Sequence, residues 1–194
     1  MPAPKRSFIG LSMEIRPLKL SGTYEILLQP RGDERGYFMR VYDVDTFRTG
    51  NLSTQWVQEN EAFSSRKGVL RGLHFQKPPF AETKLVRVVL GAVLDVFVDL
   101  RRGSKSYGQW DALELTGQTQ RALYLPPGFA HGYCTLSDES LVFYKVDSRY
   151  APEAEGGIRW NDPDLAIPWP VESPLVSAKD LKWPLLREFE TPFA

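Results

Sequence analysis

Residues 85–98 read Leu-Val-Arg-Val-Val-Leu-Gly-Ala-Val-Leu-Asp-Val-Phe-Val. Two apolar runs, Leu85 to Val89 and Val93 to Val98, flank Leu90-Gly91-Ala92, a pattern that predicts a tight hairpin between buried strands. The second run alternates. Leu94, Val96 and Val98 share one face, and Asp95, Phe97 and Asp99 share the other. A face with two acids and a phenylalanine is not an ordinary dry core. It either lines a polar opening or meets solvent.

Working outward, short strands are predicted at Thr23 to Leu28, Tyr37 to Tyr42, Thr54 to Glu59, Val69 to Phe75, Trp110 to Leu115, Arg121 to Leu125, Gly132 to Thr135 and Leu141 to Val146. Turn signals such as Arg102-Gly103-Ser104, Thr116-Gly117 and Pro126-Pro127-Gly128 separate them. Many short strands with regular turns point to an all-β sandwich or barrel. Asp43 to Arg48 reads as one short helix with Asp43 or Asp45 as its cap. After Tyr150 the character changes. Five prolines lie between Pro152 and Pro174, with Trp160 and Trp169 close by, as expected of an ordered arm over the strands. A helix near Asp180 to Leu186 would pin this arm, although Pro184 interrupts it.

The 194 residues suit a single domain, 1–194, with a core of about 22–150 and an arm of about 151–194. Lys plus Arg and Asp plus Glu are both 24, so nothing in the overall charge favours nucleic acid or an anionic membrane. An anion site must be local, and Arg31, Arg35, Arg71 and Lys179 are the candidates. The lone Cys134 excludes an internal disulfide and a cysteine-based zinc site, and its apolar neighbours suggest a structural thiol. Lys5-Arg6 and the residues after them are too short and mixed for a signal peptide, and no stretch is long enough for a membrane span. A cytoplasmic protein is expected.

The chain has only two histidines, His74 in Arg71-Gly72-Leu73-His74-Phe75 and His131 in Pro126-Pro127-Gly128-Phe129-Ala130-His131-Gly132. Histidine exchanges protons near neutral pH without special tuning. In a regular strand Arg71 and His74 face opposite ways, unless Gly72 marks a bulge. Lys84 opens the next strand, so a base and a cation stand at the ends of neighbouring strands. Tyr144 lies on a later strand, and an ordinary phenol suits the role of acid better than that of base. Taken singly, each of these also reads as a packed or surface residue.

Together they carry a resemblance. Gly32-Asp33-Glu34-Arg35-Gly36-Tyr37-Phe38, Gly68 to Gln76, Lys84-Leu85-Val86-Arg87, Asp95 to Asp99, Pro126 to Gly132, Tyr144-Lys145, Gly157 to Asp162 and Ser177-Ala178-Lys179-Asp180 are similar, in order and spacing, to the dTDP-4-dehydrorhamnose 3,5-epimerase family of the cupin superfamily. The resemblance runs from about Gly22 to Leu186. It implies an all-β, cupin-type jelly-roll barrel with a few short helices and an ordered C-terminal arm. It also implies a homodimer in which an N-terminal segment reaches the partner's site. The implied activity is inversion of C3, C5 or both in a nucleotide-linked 4-keto-6-deoxyhexose, by proton removal and reprotonation on the opposite face.

The resemblance makes His74 the general base, Asp180 its hydrogen-bonding carboxylate, Lys84 the cation near the C4 oxygen and Tyr144 the opposite-face acid. His131 becomes a substrate contact. Arg35, Arg71 and Lys179 hold the diphosphate or sugar, Gln58 and Asn60 lie near the nucleotide, Tyr150 stacks on the base and Glu155 adds a nucleotide contact. Arg40 stands where the family commonly carries a glutamate against thymine. A guanidinium only donates hydrogen bonds. Either Arg40 turns outward and other residues hold thymine, or the base is one that offers acceptors. The resemblance implies no metal and no organic cofactor.

Two readings of other kinds compete. A metal-dependent cupin needs a cluster of histidines and a carboxylate, whereas Gln76 follows His74 by two and no His-x-His pair exists. A non-catalytic sugar-nucleotide binder would not need every acid–base position filled.

Overall fold

The computed structural model describes residues 8–9 and 13–194. Part of the N-terminal segment expected to reach a partner, and most of the N-terminal stretch read for a targeting signal, lie outside them. The strands are β1 (Phe8–Ile9), β2 (Met13–Pro17), β3 (Tyr24–Leu28), β4 (Arg31–Asp33), β5 (Gly36–Phe38), β6 (Gln58–Ser64), β7 (Val69–Gln76), β8 (Lys84–Leu90), β9 (Ala92–Asp99), β10 (Trp110–Thr116), β11 (Arg121–Leu125), β12 (Phe129–Thr135), β13 (Ser140–Val146), β14 (Glu155–Gly157) and β15 (Leu175–Val176). Among the described residues, one α-helix, α1 (Val44–Thr49), and three 3-10 turns accompany the strands. No helix among the described residues is long and apolar enough to cross a membrane.

The strands form two large sheets and the small β4–β5 ribbon. One sheet runs β1-β2-β3-β11-β8-β13-β6, and the other runs β10-β9-β12-β7-β14 with β15 also on β7. This corrects the expected jelly-roll barrel. Each sheet is an open path with two end strands, and among the described residues no strand pairing joins one sheet to the other. Strand number and turn spacing do not encode closure, because that depends on which edges pair. The sheets instead face each other across a core that includes Val86, Val88, Phe97, Leu123, Phe129 and Val142.

The opening stretch is itself corrected. Residues 85–98 do form two strands around Gly91, but not a hairpin. β8 pairs with β11 and β13 in one sheet, whereas β9 pairs with β10 and β12 in the other. Gly91, with φ +74°, turns the chain across the sandwich. Two buried strands joined tightly have the same apolar pattern whether they pair or stack. The acidic face of β9 points inward, and Asp95 and Asp99 are fully buried.

Local boundaries also differ. The strand expected at Tyr37 to Tyr42 ends at Phe38, because Met39, Val41 and Tyr42 fold onto the cluster around Phe47 of α1. Trp56 joins the same cluster, so the strand expected from Thr54 starts at Gln58. Asp43 caps α1 by accepting the Thr46 N–H at 3.0 Å. The helix expected at Asp180 to Leu186 is two 3-10 turns, Asp180–Lys182 and Leu186–Glu188, with Pro184 between them. Ile158, Leu165, Ile167 and Phe193 of the last segment cover Leu73, Phe75, Val96 and Val98 on the outer face of the second sheet. Cys134 is buried, and burial pushes its thiol up to about 11, as suits a structural residue.

Candidate active site

A cavity of about 810 Å³ opens between the sheets where the apolar core stops. Its lining includes Arg71, His74, His131 and Tyr133 from one sheet and Ala62, Lys84, Val142 and Tyr144 from the other. Tyr150, Glu155, Leu175, Ser177, Lys179 and Asp180 contribute from the segments after the last long strand.

A bulge in β7 brings Arg71 and His74 to the same cavity. His131 pairs with His74, yet Tyr133, two residues on, pairs with Arg71, three residues back. The extra residue falls at Gly72–Leu73 and restores Arg71 to the inner face. Gly72 has φ +135°, and a Cβ there would lie 2.5 Å from Gly132 Cα. Only glycine combines that backbone with that approach.

The bulge also makes room for Asp180. The outer edge of β7 is shared by β14, which pairs with His74–Gln76, and β15, which pairs with Val69–Leu70. In the interval between them the Gly72 N–H points to Asp180 Oδ2 at 3.4 Å, and Asp180 Oδ1 lies 2.6 Å from His74 Nε2. Burial raises the Asp180 carboxyl. Hydrogen bonding and charge from His74, with the Gly72 N–H and Ser177 hydroxyl, outweigh this and hold it below the ordinary carboxylate value. It is therefore ionised at neutral pH, so His74 Nε2 carries the proton of the neutral ring and Nδ1 keeps a free lone pair.

His131 is held in a parallel way, with Nε2 2.8 Å from Asp95 Oδ1. Asp95 thus explains one of the two acids on β9. Asp99 lies elsewhere, receiving hydrogen bonds from Arg101, Ser104 and Ser106. Lys84 is mostly buried, with Nζ 3.2 Å from Glu82 Oε1. Tyr144 stands on β13, opposite Val86 of β8 and Asn60 of β6. At the mouth, Lys179 Nζ donates to Glu155 Oε1 at 2.7 Å, and the Tyr150 hydroxyl donates to Glu155 Oε2 at 3.4 Å. Burial lowers the Lys179 ammonium, but its bond to Glu155 and the nearby negative charge raise it further, so it stays cationic.

Four anticipated residues do not line this cavity. Arg35 sits on the β4–β5 ribbon, exposed and bound to Asp33 at 2.6 Å. Arg40 turns away toward Asp43, 3.6 Å distant beside α1. Gln58 accepts the Tyr150 N–H through Oε1, and Asn60 lies half-buried opposite Tyr144. Sequence reading missed Tyr133 and Glu82. Both had a signal, since each lies two residues from a flagged residue, His131 and Lys84. Among the described residues, no group of three or more His, Cys, Asp or Glu side chains is placed to hold a metal ion.

Comparison with known proteins identifies the family. The family profile for dTDP-4-dehydrorhamnose 3,5-epimerase matches residues 17–188. A curated dTDP-4-dehydrorhamnose 3,5-epimerase from Methanothermobacter thermautotrophicus is 45% identical over 180 residues, covering 90% of this chain and 96% of that one. The crystal structure of the Bacillus anthracis enzyme with TDP and pyrophosphate bound superposes with a TM-score of 0.88 at 42% identity, covering 90% of this chain and 100% of that one. A Legionella pneumophila epimerase in complex with dTDP-4-keto-L-rhamnose gives a TM-score of 0.88 at 37% identity, covering 94% and 98%. With the profile matched over residues 17–188 and relatives this similar along nearly their whole length, the chain belongs to the dTDP-4-dehydrorhamnose 3,5-epimerase family.

Proposed function

We propose how this isomerase epimerises its dTDP-linked 4-keto-6-deoxyhexose. The substrate is dTDP-4-dehydro-6-deoxyglucose and the product dTDP-4-dehydrorhamnose, with both C3 and C5 inverted. Protons on these carbons are acidic because the resulting carbanion delocalises into the C4 ketone. Nδ1 of His74 takes the proton, and the imidazolium so formed is stabilised by Asp180. Lys84 offsets the developing charge on the C4 oxygen. Tyr144 then delivers a proton to the other face of the sugar.

One observation carries this reading. His74 and Tyr144 enter the cavity from different sheets, so a sugar between the sheets has one group on each side. Inversion needs two such groups, since a base that returned its own proton would regenerate the starting centre. His131, held by Asp95, contacts the sugar. Arg71 and Lys179 bind the diphosphate, and Tyr150 and Glu155 hold the thymidine near Gln58 and Asn60. Arg35 lies away from the cavity of its own chain, which supports a homodimer that lends residues to the neighbouring site, with an exchanged N-terminal segment, whereas Arg40 turns toward Asp43, in keeping with thymine held by other residues. The charged diphosphate does not cross a bilayer unaided, which supports a cytoplasmic setting.

The test is incubation of the thymidine-linked 4-keto sugar in heavy water with NMR location of the label. Deuterium at both C3 and C5, lost in His74→Ala, is the expected result. Label at C3 or C5 alone would reduce the reading to a single-centre epimerase, and no exchange at either would overturn it.

A further inference from the structure

We infer that Glu82 is a positioning residue for the reaction: it fixes the Lys84 ammonium against the cavity wall and is itself locked from behind by Gln76. The inference rests on the role given to Lys84 above. Glu82 does not line the cavity, but Lys84 does. One carboxylate oxygen of Glu82 lies 3.2 Å from Lys84 Nζ, and both side chains are about seven-eighths buried, at 13% and 14% exposure. The other oxygen accepts from Gln76 Nε2 at 3.1 Å.

Gln76 is among the most constrained polar residues of the protein. It is 3% exposed. Its Nε2 also faces the carbonyls of Phe80 at 3.0 Å and Arg149 at 3.1 Å, and its Oε1 accepts the Ala151 N–H at 2.7 Å. The amide is thus tied to two backbone segments, and Glu82 is tied to the amide. Glu82 therefore meets Lys84 with little freedom of its own.

The chemistry gives this arrangement a use. A lysine ammonium is a point charge on a flexible four-carbon stem. It stabilises a developing enolate well only when it is already in place, because reorganisation during the reaction costs rate. Engaging one of its three N–H donors with Glu82 fixes the charge and leaves the others for the substrate oxygen. The segment 149–151 that pins Gln76 also carries Tyr150 at the cavity mouth, so the amide links the mouth to the cation inside.

Glu82→Gln keeps the shape and removes the charge that holds the ammonium. The expected result is a kcat lower by about tenfold, with KM within about twofold of wild type. In a Lys84→Met background the same change should have no further effect on kcat. Unchanged kcat in Glu82→Gln, or an equal loss in both backgrounds, would overturn the inference. Lys84→Met with wild-type kcat would instead overturn the role of Lys84, so the two failures are distinguishable.

Discussion

Asp180 Oδ1 lies 2.6 Å from His74 Nε2, although the residues are 106 positions apart in the chain. The contact exists because β7 is bulged at Gly72 and because two short strands leave an interval on its outer edge. Asp180 fills that interval with a buried carboxylate, and through it the last segment of the chain sets which nitrogen of His74 is free.

Asp180→Asn tests this control of the tautomer. An amide can present either oxygen or N–H to Nε2, so the ring is no longer held with Nδ1 unprotonated. By analogy with carboxylate-to-amide changes behind a catalytic histidine, kcat should fall by about 10³-fold or more while the fold is retained. Steady-state kinetics with a near-ultraviolet circular dichroism check would measure it. Activity within a few fold of wild type would show that His74 does not depend on Asp180.

Tyr144→Phe separates the two halves of the proposed inversion. His74 remains able to remove and return a proton, so solvent deuterium should still enter the substrate. Inversion should fall by about 10²-fold or more, the usual worth of a positioned acid. Following label and stereochemistry in one NMR time course would show this. Equal loss of both would assign Tyr144 to substrate binding.

Much of this site was legible in the sequence because its parts sit in short local patterns. Arg71-Gly72-Leu73-His74 announced a base beside a glycine that could carry a bulge, and the bulge is there. The acids on β9 stood out against their apolar neighbours, and Asp95 does hold His131. Asp180 was reachable only through family resemblance, since no local signal ties it to a strand so far away. The pairing of strands was not legible. Gly91 between two apolar runs suits a hairpin and a crossing between sheets equally well, and only the surrounding strands decide. Closure failed for the same reason, because the spare edges of β1, β6, β10 and β14 leave no periodic trace. Arg35 matched a motif, but a motif does not place a side chain in a cavity, and Arg35 sits exposed beside Asp33 on the β4–β5 ribbon.

Gly72→Ala probes the bulge directly. The new methyl would meet Gly132 Cα at 2.5 Å and the His131 carbonyl at 3.0 Å, on a backbone with φ +135°. Backbone atoms on the facing strand cannot step aside as a flexible side chain would. A loss of about 2 kcal/mol or more in urea unfolding is expected, with kcat reduced because His74 and Asp180 both depend on the local path of β7. Wild-type stability and kcat would show that β7 tolerates a regular strand here.

Acid stability should depend on Asp99 rather than on the His74–Asp180 pair alone. Burial raises this carboxyl, but bonds from Arg101, Ser104 and Ser106 bring it down from 3.8 to about 2. A carboxyl lowered on folding binds its proton more readily in the unfolded chain, so its contribution is complete above the unfolded value and is lost as pH falls through the folded one. The difference corresponds to about 2 kcal/mol at neutral pH, disappearing between about pH 4 and pH 2. Asp180, also lowered, adds a loss in the same direction. Urea denaturation of wild type and Asp99→Asn across this range should show a gap at pH 7 that narrows toward pH 2. A gap of constant size would mean that Asp99 contributes through packing and hydrogen bonding alone, without the linkage to its charge.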